Sequence, residues 1–267
     1  MYEHLCVSRG TDASPVILHV PHASREIPDA VAADFAATPE QVEQELDRVT
    51  DTGTDALARA AHEAAGQRSW LVVNELSRLV ADPGRFYSQR DSMEASGRGA
   101  VYTRLTDGEL LRPLGFDDSA LKATYFHPYN DAVGELVRER IRATGGAVIV
   151  DIHSYNNPPE EHQIHGGRLS PDICIGTHSV HSPAILVDTA ARIFTEAGFR
   201  VERNTPFTGV YIPVEYEMNP AVLGIMFEVR DDLLAPGGEA FVRVTEALAK
   251  VIDEAERIAG LEMGRPQ

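Results

Sequence analysis

Apolar residues occur along this chain in two alternating patterns, short β-branched runs and longer stretches with helical spacing. The short runs are bounded by glycine, proline or polar residues and predict five strands, at residues 16–20, 70–73, 147–152, 173–175 and 222–229. The longer stretches predict four helices, at residues 51–65, 119–143, 184–197 and 239–258. This alternation is typical of an α/β fold, in which helices flank a mixed, mostly parallel sheet.

Residues 86–116 show little periodicity and carry many charges and four glycines, so they predict a long loop over the surface. Loops of this length are often functional. The chain has 267 residues, 43% of them hydrophobic, and we expect them to form one domain spanning residues 1–267. The oligomeric state stays open.

The charge of the chain disfavours two classes of partner. Lys and Arg number 24 against 41 Asp and Glu, and the formal net charge of −17 opposes binding to nucleic acid or anionic lipid. No apolar run approaches the roughly 20 residues that span a bilayer, and the start lacks the pattern of a secretion signal. Cys6 and Cys174 are too few for a disulfide framework. We therefore expect a cytoplasmic protein that binds neither nucleic acid nor membranes.

Two histidines lie at the ends of predicted strands. The first strand continues through Pro21 and presents His22 just beyond its carboxyl end, where α/β sheets usually bind ligands. Asp151 and His153 are two residues apart in another strand, so they point to the same side and the carboxylate can orient the imidazole. A lone histidine at a strand end is more often structural, so the metal-ligand hypothesis depends on both histidines.

Acidic residues that could provide a third ligand occur in two places. Glu26 follows His22 by four residues. The other group surrounds the start of the predicted helix 51–65, where the helix dipole also favours acids and a cap would explain one of them; its members are Glu45, Asp47, Asp51 and Asp55. The residues alone leave both alternatives open.

Glu228 lies in an otherwise apolar predicted strand, with Arg230 two residues later on the same side. A buried carboxylate is costly unless it is paired or has a function. Either an ion pair with Arg230 or a catalytic role therefore explains Glu228. In the catalytic interpretation, it takes a proton from an activated water and passes it to the leaving amine.

Other chemistry has little support in the sequence. We find no phosphate-binding glycine loop, no Cys-x-x-Cys pair and no Gly-x-Ser-x-Gly motif. Four further histidines lie in one stretch and are predicted to be mostly solvated loop residues: His162, His165, His178 and His181.

Several segments resemble known hydrolases. His22 after its strand, the segments 82–85 and 153–155, and the segment 227–230 follow in the order seen in zinc carboxypeptidases. The chain is more similar to the N-formylglutamate amidohydrolase family, in segments 19–24, 46–57, 76–82, 172–176 and 204–209. The similarity covers about residues 16–232 and implies a phosphorylase/hydrolase-like, zinc carboxypeptidase-like fold.

The resemblance also implies a site. It implies a zinc ion held by His22, Asp51 and His153, with Asp51 preferred over Glu26 and one position left for water. Glu228 is then the general base. Arginines suit a substrate carboxylate because their planar fork pairs two oxygens. The substrate-binding residues that the resemblance implies are Arg78, Arg85, Asn204 and Arg230.

The implied activity is hydrolysis of N-formyl-L-glutamate, or a close N-acyl amino acid, to formate or another carboxylate and the free amino acid, in histidine breakdown. One departure bears on the substrate: where the family reads Asp-x-Asn-Arg, this chain has Gly84 before Arg85. One alternative is a zinc peptidase or amidase acting on another acyl-amide. The other is a non-catalytic, metal-stabilised binding module, although structural zinc usually has four protein ligands.

Overall fold

One mixed sheet organises the molecule. The computed structural model describes residues 2–85, 93–156 and 170–263, and within them the strands are β1 (Leu5–Ser8), β2 (Val16–Val20), β3 (Trp70–Asn74), β4 (Ala147–Tyr155), β5 (Ile173–Gly176), β6 (Val201–Arg203) and β7 (Val222–Arg230). All five predicted strands are confirmed. β1 and β6 are additional strands at the two edges.

The strand order is β1-β3-β2-β4-β7-β5-β6. Strands β3, β2, β4 and β7 are parallel, β1 and β5 are antiparallel to their inner neighbours, and β6 is parallel to β5. The predicted α/β fold with a mixed, mostly parallel sheet is therefore confirmed. Every residue of β2 and β4 is buried, as expected where helices cover both faces of a sheet.

The described helices are α1 (Asp29–Ala32), α2 (Pro39–Val49), α3 (Thr54–Ala64), α4 (Ser119–Leu121), α5 (His127–Thr144), α6 (Ala184–Glu196) and α7 (Glu239–Met263). The helix predicted at residues 119–143 is interrupted, because a π-helical segment, Lys122–Phe126, separates α4 from α5. Helices α1 and α2 lie outside the predicted set. A capping box formed by Thr38 and Gln41 starts α2.

Helix α3 begins later than the prediction of residues 51–65. Gly53 is its N-cap and has φ of 87°, a left-handed conformation that favours glycine. Asp51 therefore lies in the turn before the helix, and the prediction that it occupies the first helical turn is wrong. The turn is joined to the end of β2, since the Asp51 N–H donates to the His22 carbonyl at 3.0 Å.

Helices cover both faces of the sheet. On one face, α3, α6 and α7 contribute Leu57, Leu186 and Ile252 to the largest apolar cluster. On the other face, α5 contributes Tyr129 and Val133. None of the described helices has the length and apolar content needed to cross a membrane.

The segment 93–116 is only partly the surface loop that its sequence predicts. Val101, Tyr102, Leu105 and Leu111 are all buried. Arg112 is fully buried as well, because it donates to the Tyr102 and Leu79 carbonyls and lies over two aromatic rings. The prediction is wrong for these residues, whose apolar side chains pack against α1 and α2 without a regular period. Residues 86–92 lie outside the described part of the chain.

Candidate active site

The carboxyl ends of β2, β4 and β7 lie at one edge of the sheet, and three predicted site residues are found there. His22 follows β2 by two residues, and His153 lies in β4. His153 pairs in register with Glu228 of β7. Because the strands are parallel neighbours, the side chains of this register pair point to the same face.

Three side chains form a compact group that could hold a metal ion: His22, Asp51 and His153. The distances are 3.2 Å between the two histidine Nδ1 atoms, 2.9 Å from His153 Nδ1 to Asp51 Oδ2, and 3.4 Å from His22 Nδ1 to the same oxygen. Tetrahedral coordination with bonds of about 2.0–2.1 Å places ligand atoms roughly 3.3 Å apart. The donor atoms and their spacing therefore fit one divalent ion. Glu26 is exposed and lies outside the group.

Each histidine is oriented by a second carboxylate. His22 Nε2 lies 2.7 Å from Asp82 Oδ1, and His153 Nε2 lies 3.0 Å from Asp151 Oδ1. A carboxylate on the far nitrogen keeps the proton there and leaves the near nitrogen free to coordinate. The predicted cooperation of Asp151 with His153 is thus present in the geometry. Asp82 has the same relation to His22.

Asp151 is itself held by a buried network that sequence reasoning missed. His19 Nδ1 lies 2.8 Å from Asp151 Oδ1, and His19 Nε2 lies 2.9 Å from the Tyr129 hydroxyl. The Tyr211 N–H donates to the other oxygen of Asp151 at 2.9 Å. His19 and Asp151 pair in register between β2 and β4, which is the signal that could have revealed them.

Three buried carboxylates, Asp51, Asp82 and Asp151, contact the two histidines. Burial acts to raise the pKa of Asp51, but hydrogen bonds from His153 and His22 outweigh it and the pKa is below its ordinary value. The pKa values of Asp82 and Asp151 are also below their ordinary value. Burial acts to raise them, but it is outweighed mainly by the charge of Arg78 at Asp82 and by that of His153 at Asp151. Although burial opposes it, Asp151 and Asp51 raise the pKa of His153 well above the ordinary value. Such a site favours a bound cation.

Glu228 behaves differently from these acids. Burial raises the pKa of Glu228 to about 8. The charge of His153 opposes this rise, and the charge of Asp51 adds to it. The Glu228 side chain lines the same cavity as the His–Asp–His group and is 8% exposed. A carboxyl group with a pKa near neutrality is suited to accept and return a proton.

Arg78 and Arg85 both bind Asp82. Arg78 donates through Nε and Nη2 to Asp82 Oδ2 at 3.0 and 2.7 Å, and Arg85 Nε donates to the same oxygen at 3.2 Å. The Tyr102 hydroxyl also donates to that oxygen, at 2.9 Å. The two arginines line the cavity, and Arg78 Nη1 lies 4.0 Å from Asp51 Oδ1. One buried carboxylate therefore positions two cations beside the ligand group.

Gly84 allows the segment between Asp82 and Arg85 to approach His22 closely. Its N–H donates to Asp82 Oδ1 at 3.0 Å. A Cβ atom at position 84 would lie 2.9 Å from His22 Cε1, closer than real Cβ atoms come to their neighbours. The absence of a side chain thus lets backbone and imidazole share one carboxylate oxygen.

The structure does not bring Asn204 or Arg230 into the cavity lining. Asn204, with φ of 53°, accepts hydrogen bonds from Thr177 and Thr208 and so supports the loop after β6. Arg230 pairs with Asp172 and Asp232, at 2.8 and 2.6 Å, and not with Glu228. Both therefore keep neighbouring segments in place.

Among the other histidines, His181 is fully buried and its ring nitrogens face two backbone carbonyls, so the prediction that it is solvated is wrong. Its position in the fold explains this, because it lies beside the start of β7. His178 is half-buried. His162 and His165 lie outside the described residues.

The cavity has a volume of about 450 Å³. The ligand group, Glu228 and segment 206–211 all line it. Sequence reasoning missed two further arginines that line it, Arg48 and Arg98, as well as Thr106. The volume suits a small molecule such as an amino-acid derivative.

Fold and site together define an α/β protein with a buried His–Asp–His group, a neighbouring carboxyl and several arginines in one cavity. The chain belongs to the N-formylglutamate amidohydrolase family, whose sequence model matches residues 14–235. Membership in this family makes the protein an amidohydrolase, and the predicted family resemblance is confirmed.

Solved structures support the fold. An N-formylglutamate amidohydrolase from Ralstonia eutropha JMP134 is similar at TM-score 0.79 and 19% identity, over 96% of this chain and 98% of that one. The gene product Atu2144 from Agrobacterium tumefaciens is similar at TM-score 0.67 and 24% identity, over 94% and 96% of the two chains. A metallo-carboxypeptidase from Burkholderia cenocepacia is far less similar, at TM-score 0.33 and 14% identity over 93% and 59%. Among curated proteins no match is found.

Proposed function

We propose that this protein hydrolyses the amide bond of N-formyl-L-glutamate or a close N-acyl amino acid, releasing formate or another carboxylate and the free amino acid. The observation that carries the proposal is the grouping of His22, Asp51 and His153, with donor atoms within 3.4 Å of one another, in the same cavity as Glu228 and two arginines. Family membership supports the amide substrate.

We assign His22, Asp51 and His153 as ligands of one zinc ion. Two imidazoles and one carboxylate form the three-ligand set that catalytic zinc uses, whereas structural sites usually have four protein ligands and often cysteine. Asp82 and Asp151 hold the imidazoles in the tautomer that coordination needs. When bound, the ion supplies Lewis-acid polarisation and lowers the pKa of water.

Glu228 moves the proton in this mechanism. It takes a proton from the attacking water as the water oxygen bonds to the acyl carbon. It then returns the proton to the amide nitrogen as the carbon–nitrogen bond breaks, so the products are a carboxylic acid and an amine. Because burial raises the pKa of Glu228 to about 8, the group can both take up and release a proton near neutral pH.

Arg78 and Arg85 bind the substrate carboxylate next to the scissile amide. Asp82 neutralises only one of their two positive charges, so the pair retains a net charge for an anion. Their fixed geometry lowers the entropy cost of orienting the substrate.

The proposal is tested by separating metal binding from turnover. We expect His22→Ala to lose both bound zinc and formate release from N-formyl-L-glutamate. Glu228→Gln should keep the zinc and lose turnover by about 100-fold or more, since it cannot accept the proton. Metal analysis and a formate assay measure the two quantities.

Glu202→Gln is the matched control, because Glu202 flanks Cys174 across the sheet from Glu228 but does not line the cavity. A fully active Glu228→Gln enzyme would remove Glu228 from the mechanism. A panel of N-acyl amino acids and dipeptides then decides between deformylation and cleavage of another acyl-amide.

A further inference from the structure

Two arginines that line the cavity have no role in the proposed chemistry. Arg48 and Arg98 line the same cavity as His22 and Glu228. Arg48 comes from the end of α2, and Arg98 comes from the segment that leads to Tyr102. Four arginines in one small cavity carry more positive charge than a single substrate carboxylate requires.

Arg98 differs from the other three arginines in its partners. Arg78 and Arg85 share Asp82, and Arg48 lies 3.8 Å from both Glu45 and Asp107. Within the described part of the chain, Arg98 forms no ion pair. The one side-chain hydrogen bond of its guanidinium there is donated from Nη1 to Thr106 Oγ1, at 3.5 Å. Its charge is therefore available to an anion in the cavity.

The segment around Arg98 is held in place. Arg98 forms an antiparallel backbone bridge with Tyr102, whose hydroxyl binds Asp82. Thr106 donates from both its N–H and its hydroxyl to the buried carboxylate of Glu45, at 2.9 and 2.7 Å. Arg98 thus projects from a segment anchored at both ends, which limits the entropy cost of binding through it.

Arg78 and Arg85 lie beside the ligand group. Arg78 lies 4.0 Å from Asp51, next to where the amide would be held, and Arg85 shares its carboxylate. In an N-acyl amino acid the α-carboxylate is attached to the carbon that bears the amide nitrogen, so it must remain near this pair. A carboxylate on the side chain extends away from it.

We propose that Arg98, which lines the cavity together with Arg48, binds the side-chain carboxylate of an acidic N-acyl amino acid. The inference rests on the proposed function and adds the residue that selects an acidic side chain: Arg78 and Arg85 hold the α-carboxylate, and Arg98 holds the side-chain carboxylate. Specificity for an acidic side chain then resides in Arg98, because it is the cation that no described carboxylate neutralises.

The test compares two substrates that differ in one charge, N-formyl-L-glutamate and N-formyl-L-glutamine. We expect Arg98→Ala to lower kcat/KM for the glutamate compound by about 10- to 100-fold, the range for a hydrogen bond to a charged group. Activity on the glutamine compound should stay within about threefold. Arg98→Lys should recover part of the loss.

Arg104→Ala is the matched control. Arg104 lies on the same segment, donates to the Gly108 carbonyl and does not line the cavity, so its removal should leave the preference unchanged. If Arg98→Ala does not fold, Arg98→Gln replaces it, because an amide can keep the contact with Thr106 without the charge. Equal loss on both substrates, or no loss on either, would overturn the inference.

A binding measurement separates this inference from the proposed function. Glutarate carries two carboxylates and no amide, so calorimetry on the zinc-loaded protein measures the subsites without turnover. We expect Arg98→Ala to weaken glutarate by about 10-fold or more and to affect butyrate little. Wild-type protein that binds glutarate through Arg98 but hydrolyses no N-acyl amino acid contradicts the proposed function alone. Unchanged glutarate binding in Arg98→Ala contradicts the subsite.

Discussion

Asp82 connects the His–Asp–His group to Arg78 and Arg85 through a single carboxylate. One oxygen accepts from His22, and the other accepts from Arg78, Arg85 and Tyr102. Such a residue touches neither the ion nor the substrate in our assignment. It fixes the distance between them, and this distance decides whether an amide and its neighbouring carboxylate can be held together.

Replacing Asp82 with asparagine should weaken zinc binding. The amide can still accept from His22, but it removes the charge that keeps the far nitrogen protonated and pairs with both arginines. We expect zinc affinity to fall by about 10- to 100-fold, the usual effect of losing a carboxylate behind a histidine ligand. Competition with a chromogenic chelator measures the affinity.

Asp188→Asn is the control for this change, since Asp188 pairs with Arg203 at the exposed surface. Zinc affinity that is the same in Asp82→Asn and Asp188→Asn would show that the carboxylate does not support the ligand.

Individual site residues could be predicted from the sequence where they interrupt or directly follow an apolar strand. His22, His153 and Glu228 interrupt apolar runs, and a polar residue at the end of a buried strand is a signal in itself. His19 also interrupts an apolar run, but the sequence does not indicate its partner, because Asp151 is 132 residues away, just as Asp82 is 60 residues from His22. Only the fold brings these pairs together.

Buried strands were the most predictable elements. Helices cover both faces of the sheet, so the strands read as continuous apolar runs. β1 and β6 have four and three residues and are partly exposed, which leaves too little pattern to detect. The start of α3 was misplaced because the left-handed Gly53 ends the preceding turn, and no periodicity encodes that conformation.

Helix α7 contains a partly buried acid, Glu256, whose pKa is raised. Glu256 accepts a hydrogen bond from the buried Ser14, just before β2, and burial raises its pKa from 4.5 to about 7. Since the folded pKa is the higher one, ionisation disfavours the folded state, and stability from this group falls as pH rises from about 4.5 to 7. Glu256→Gln should therefore raise Tm relative to wild type at pH 8 and change it little at pH 5.

Thermal unfolding at the two pH values measures this effect. Glu246→Gln serves as the control, because Glu246 is exposed on the same helix. A Tm difference between Glu256→Gln and wild type that does not depend on pH would contradict the burial effect.

The topology of the sheet brings the residues of the site together. Parallel β2, β4 and β7 bring His22, His153 and Glu228 to one edge, and the turn before α3 adds Asp51. The complete ligand set exists only in the folded chain, so an ion that binds it stabilises the fold.

Metal removal should therefore lower the stability of the whole fold. An ion that binds only the folded state adds about 4 kcal/mol when its free concentration is about 1,000 times Kd. We expect a chelator to lower the Tm of wild-type protein by several degrees, and to have little effect on His22→Ala. Calorimetry with and without the chelator provides the measurement, and an equal shift in both proteins would contradict a specific site.

The close approach of Gly84 to His22 also restricts which residues position 84 can accept. The family pattern has asparagine at this position, yet a side chain here would be forced against an imidazole that Asp82 and Asp51 hold on two sides. Asparagine placed at position 84 would displace His22 unless the backbone of segment 82–85 moved with it. Glycine is thus the residue that this packing around His22 requires.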